Sequence, residues 1–169
     1  MSRIVKNVLL AALCALPTVA AFAQAYPTKP IRMISPFPPG GGTDAVARVI
    51  AQALSDQLGQ QVVVDSRGGA NGVIGTEVAA RSAADGYTLL LGNSAPLAIL
   101  PNLTQKLLYD PLKDFDPVSL GALSDFVLVV HPSVPVKNVG ELIALATARP
   151  GQLNYAAGGT GTPSHLAME

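Results

Sequence analysis

Apolar and polar positions along this chain alternate between two periods, and the alternation predicts strand, helix, strand, helix, strand. Ile31 to Ser35 is a short apolar strand, and Ala45 to Leu58 carries Val46, Val49, Ile50, Ala53, Leu54 and Leu58 at helical spacing before Gly59 stops it. Gln61 to Asp65 reads as a second strand and Ser66 to Gly72 as a polar, glycine-rich loop. A helix from about Val73 to Ala83 follows, then an Asp85-Gly86 turn into the apolar strand Tyr87 to Leu91. This order implies a parallel sheet with right-handed crossovers. Asn93 to Leu100 predicts a short helical segment, and Tyr109 to Pro117 an irregular stretch rich in turn residues.

A second unit is expected beyond that stretch. Val118 to Leu123 and Phe126 to Val130 are strand candidates, and Asn138-Val139-Gly140-Glu141 is a capping box opening a helix to Arg149, ended by Pro150-Gly151. Leu153 to Ala157 reads as a further strand. Two loops then stand out, because each follows a strand and opens a helix. Phe37-Pro38-Pro39-Gly40-Gly41-Gly42-Thr43-Asp44 is the first and Gly158-Gly159-Thr160-Gly161-Thr162-Pro163-Ser164-His165 the second. Glycines let backbone N–H groups approach a ligand, and the positive end of the helix that follows faces the same space. Each loop could hold a carboxylate or phosphate without a lysine or arginine, and two such cradles suggest a ligand gripped from two sides.

The N-terminus reads as a secretory leader. Arg3 and Lys6 precede the apolar run Val8 to Val19, and Ala21-Phe22-Ala23 and Ala23-Gln24-Ala25 both fit a small-x-small cleavage site, so residues 1 to about 23 or 25 are set apart from the fold. The run is shorter than the roughly 20 residues a membrane span needs. Leu13 stands where a lipidated Cys14 would need a small residue. Without the leader no cysteine remains, which removes disulfide and thiol chemistry.

Composition narrows the function classes. Charged residues make up 13% of the chain and 11 basic residues balance 11 acidic ones, so nothing favours nucleic acid or an anionic membrane surface. Two histidines without metal-ligand spacing leave little for a transition metal, and no cofactor is expected. Thr43-Asp44 stands where a phosphate-binding P-loop needs its lysine, and Gly92-Asn93-Ser94-Ala95-Pro96 lacks the last glycine of a hydrolase elbow. Ser164 and His165 diverge by about 100° around a helix and form no nucleophile and base pair.

Several motifs together resemble one family. Pro36 to Asp44, then Asp85-Gly86-Tyr87-Thr88-Leu89-Leu90, Lys113-Asp114-Phe115-Asp116-Pro117-Val118, Leu153-Asn154-Tyr155-Ala156 and Ser164-His165-Leu166 are similar, in order from about Tyr26 to the last residue, to the Bug family. These are periplasmic solute-binding receptors of tripartite tricarboxylate transporters. The resemblance implies an α/β, two-domain periplasmic-binding-protein (Venus-flytrap) fold. Domain 1 would start at residue 26 and run to 119, and domain 2 would occupy 120–169. Family members are longer and their chain returns to complete domain 1, so the sequence is expected to be truncated within domain 2, as a fragment of a longer product.

The resemblance places Phe37, Pro38, Gly40, Gly41, Gly42, Thr43 and Asp44 in a carboxylate site with Gly159, Thr160, Gly161, Thr162, Ser164 and His165, and Asn93 and Ser94 form a weaker third group. Each also has a plainer reading. Thr43, Asp44 or Ser164 would cap a helix, the glycines would form a simple turn, and His165, like His131, would be structural. The expected function is a receptor that closes on a small carboxylate, by a hinge near Val118 to Ser124, and presents it to the membrane permease subunits. A receptor feeding a signalling partner and a secreted α/β enzyme are the alternatives. Citrate, a dicarboxylate, an amino acid and an aromatic acid all stay open as ligand.

Overall fold

The computed structural model describes residues 25–103 and 106–169. The leader expected over residues 1 to 23 or 25 lies outside the described residues, save Ala25. Three strands form one parallel sheet: β1 (Ile31–Ser35), β2 (Val62–Ser66) and β3 (Thr88–Leu90), in the order β2-β1-β3. Met33 pairs with Val64 on one side and Leu89 on the other. The central strand is buried at every position except Arg32, as a strand covered on both faces must be.

The crossovers are helical. α1 (Gly42–Leu58) joins β1 to β2, and α2 (Val73–Ala80) precedes β3. The face α1 buries differs from the one the sequence pattern suggests. Ala47 and Ala51 meet Ile31, Met33 and Val62, with Ile50 and Leu54 at the margin, whereas Val49 is 71% exposed. Two alanines let the helix axis approach the sheet more closely than valines would. α1 ends as the sequence requires, with Gly59 at φ 66° returning its N–H to Ser55 O at 3.1 Å. After β3 a wide π-type turn, Ala95–Ile99, runs into α3 (Leu100–Leu103).

The second half departs from its expected strands. Val118–Leu123, Phe126–Val130 and Leu153–Ala157 form no ladder, and their side chains are almost all exposed. A strand is stable only when a neighbour accepts and donates along its edge, and among the described residues none lies beside these three. Helices still form here, because their hydrogen bonds are local. α4 (Val139–Ala148) has the expected capping box: Asn138 Oδ1 accepts from Glu141 N–H at 3.0 Å, and Glu141 accepts from Lys137 N–H at 2.7 Å. α5 (Pro163–Leu166) follows the second glycine loop.

Candidate functional site

The first glycine loop leaves β1 at its C-terminal end and becomes α1 within a few residues. Gly40 takes φ 84°, a left-handed value that bends the chain toward the helix. Gly41, extended at φ −85° and ψ 174°, is the N-cap, so α1 starts three residues before the expected Ala45. A glycine cap has no side chain to offer the first turn. The first intrahelical bond runs from Ala45 N–H to Gly41 O at 3.0 Å, which leaves the N–H groups of Gly42, Thr43 and Asp44 without a helical acceptor. These groups carry the positive end of a 17-residue helix.

Asp44 has a different place from the other residues of this loop. Its side chain is 5% exposed and accepts from Gly40 N–H at 3.1 Å, Ser66 Oγ at 2.8 Å and Arg48 Nε at 2.9 Å. Those bonds, the Arg48 contact foremost, lower its pKa to about 2. The carboxylate therefore clasps its own loop. This is the plainer of the two readings of Asp44, a carboxylate bonded to the backbone of its own loop, and it keeps the repulsion of an inward carboxylate away from the loop mouth.

The second loop is also held by its own hydroxyls. Thr162 Oγ1 donates to Gly159 O at 2.7 Å and accepts from His165 N–H at 3.4 Å as the N-cap of α5. Ser164 Oγ accepts from Gly158 N–H at 3.1 Å. Gly159 and Gly161 take φ 131° and 79°, values closed to most side chains, and Thr160 stands exposed at the tip. His165 Nδ1 is buried and has no partner among the described residues, while its ring lies edge-on to Tyr155. In the third group Asn93 Oδ1 closes the turn onto Ala95 N–H at 3.1 Å, and Ser94 is exposed beside it. Tyr109 fixes the same turn by donating to Pro96 O at 2.6 Å.

Residues that the sequence pattern did not single out link the loops to one another. A methyl group added at Gly72 would lie 3.3 Å from Phe37 Cζ and 3.1 Å from Pro96 Cγ. The neighbouring Asn71 donates Nδ2 to Thr160 O at 2.7 Å. Ser66, which braces Asp44, was read as the first residue of a loop and is the last of β2. The signal that could have marked residues 67–72 is their glycine content, which exceeds what one loop between strand and helix needs. A separate open cleft, lined by Arg48, Gln52, Ser55, Gln60, Gln61 and Val62, follows the free edge of β2. It lies away from the carboxyl ends of the strands, where open parallel sheets bind their ligands.

Residues 46–169 match the model of the tripartite tricarboxylate transporter family receptor. The chain is 50% identical over 148 residues to Protein BugT of Bordetella pertussis, covering 87% of this chain and 45% of that one. It superposes on the periplasmic binding protein BugD with a TM-score of 0.67 at 34% identity, over 85% of this chain and 48% of that one. It superposes on the R. palustris protein Rpa4515, solved with adipate, with a TM-score of 0.71 at 35% identity, over 85% and 48%. The chain thus spans about half the length of the relatives it matches. Its parallel sheet is that of a periplasmic binding protein, and the chain belongs to the tripartite tricarboxylate transporter receptor family, the Bug receptors.

Proposed function

We propose that this chain supplies the carboxylate-gripping loops of a periplasmic solute receptor, which captures a small carboxylate and delivers it to the permease subunits of a tripartite tricarboxylate transporter. The observation that carries the reading is the open N-terminus of α1. Its first-turn N–H groups have no side-chain cap, and the Asp44 carboxylate is turned back onto Gly40, Ser66 and Arg48. One ligand carboxyl group would bond Gly42, Thr43 and Asp44 N–H, with Thr160 and Gly161 approaching from the second loop. Residues 120–169 would form the start of the second lobe, and closure would bend the chain near Val118 to Ser124, where Gly121 passes Ile50 and Leu91. Phe37, Pro38 and Ser94 would shape the wall around the rest of the ligand. No covalent step is needed. One structural relative was solved with adipate and another with bound malate, which favours a carboxylate over a phosphate.

A thermal-shift screen tests the reading. The chain, and an extended form in which the remaining C-terminal half of BugT is fused after Glu169, are melted with mono-, di- and tricarboxylates. One carboxylate class should raise the melting temperature of the extended form, because a ligand that binds only the folded state stabilises it. A cooperative melt that no carboxylate shifts would reopen the ligand class.

A further inference from the structure

Asn71 belongs to none of the candidate groups, yet it bonds the second loop and precedes Gly72, which packs against Phe37 of the first loop and Pro96 of the turn after Ser94. Its side chain donates Nδ2 to Thr160 O at 2.7 Å, a bond that spans 89 positions of sequence. Its Oδ1 packs so close to Gly159 that a methyl group there would lie 2.2 Å from it. Behind it, Gly72 lies against Phe37 and Pro96. Ala70 and Asn71 both take left-handed backbone, at φ 46° and 54°, and an alanine there is uncommon. The neighbours over-determine this turn: Gly72 N–H returns to Gly69 O at 3.0 Å, and Thr76 Oγ1 donates to Gly72 O at 2.8 Å inside the fold. The turn is thus a fixed post anchored in the first unit, and its carboxamide reaches the second loop.

We propose that Asn71 is the positioning residue of the site, a polar latch that sets the second glycine loop at the distance from the first at which both face one carboxylate. The inference rests on the carboxylate reading above. Gly159 fits the same logic: with φ 131° and the Asn71 carboxamide against it, no larger residue is accommodated.

The decisive variant is Asn71→Gly, because glycine keeps the left-handed backbone and removes only the carboxamide. Nitroxide labels on exposed Gln57→Cys and Ala167→Cys, with Cys14→Ser, report the separation of α1 from α5. The parent is expected to give a narrow distance distribution, and Asn71→Gly a broad one. Adipate and citrate, titrated by calorimetry, should bind Asn71→Gly about five-fold more weakly where the parent binds them. Asn71→Asp provides the conservative control. At neutral pH its carboxylate repels Thr160 O and the distribution broadens. At about pH 3, where an ordinary Asp is mostly protonated and Asp44 with its pKa of about 2 stays largely ionised, the narrow peak should partly return. A narrow peak retained in Asn71→Gly overturns the latch, as does a broadened peak with unchanged adipate and citrate affinity. Gly41→Val separates the two claims: if it abolishes binding while Asn71→Gly does not, only the latch falls, and if neither changes binding the carboxylate reading falls with it.

Discussion

At the residue scale the proposed site depends on a carboxylate turned onto its own loop. Asp44 closes the first loop through Gly40 N–H and Ser66 and is neutralised by Arg48. Its pKa falls from 3.8 to about 2, so its contribution to stability is fully present above the unfolded value and is lost as the pH falls through about 2. Urea melts of the protein and of Asp44→Asn should therefore differ at pH 7 and converge at the acid end. A gap that stays constant with pH would show that the Asp44 charge does not hold the loop. Gly41 offers the complementary test. A side chain there has room, the nearest atom to an added methyl being Pro38 O at 3.7 Å, and the backbone is extended. Gly41→Val should fold, with about 1 kcal/mol lost at the N-cap, and should weaken carboxylate binding by standing over the free N–H groups. Unchanged affinity in the folded variant would remove the first loop from the site. The glycines and the Asp44 backbone role were legible in the sequence because both are local. Asn71 was not, because its partner is 89 positions away.

At the element scale, the alternation of periods was enough to find β1, α1, β2, α2 and β3, since each buries a face against its neighbour. It misjudged which face of α1 is covered, because the pattern weights valine over alanine while close helix-to-sheet contact selects Ala47 and Ala51. The strands expected at Val118–Leu123, Phe126–Val130 and Leu153–Ala157 were read from β-propensity alone. Propensity describes a residue's fit to a pleated, half-buried surface, and these segments have no such surface among the described residues. α2 makes a sharper prediction. An added methyl at Gly75 would lie 2.6 Å from Arg67 O and 2.7 Å from Pro36 Cα, both backbone, so the helix crosses the two site-forming loops at glycine distance. Gly75→Ala should cost about 1–3 kcal/mol in chemical denaturation, and a smaller loss would mean that the loops yield freely. Asn138→Ala removes only a cap, so α4 should lose about 1 kcal/mol with no effect on any ligand.

At the scale of the whole molecule, a chain with no net charge is proposed to hold an anion by backbone alone. That arrangement suits a receptor, since hydrogen bonds from fixed amides favour one carboxyl geometry while shape and bridging water choose the rest of the ligand. The first loop, at the carboxyl end of β1, and the second loop are proposed to supply those amides, and Asn71 bonds the second loop to the turn before α2. The most direct test is a carboxylate titration followed through the backbone amide resonances. Adipate and citrate are the probes, and the extended form is measured beside this chain. The account predicts saturable shifts at Gly42, Thr43 and Asp44 together with Thr160 and Gly161, at a common dissociation constant. Saturable binding that leaves those amides unmoved, with its shifts gathered along the β2 edge at Arg48, Gln52 and Gln61, would contradict it.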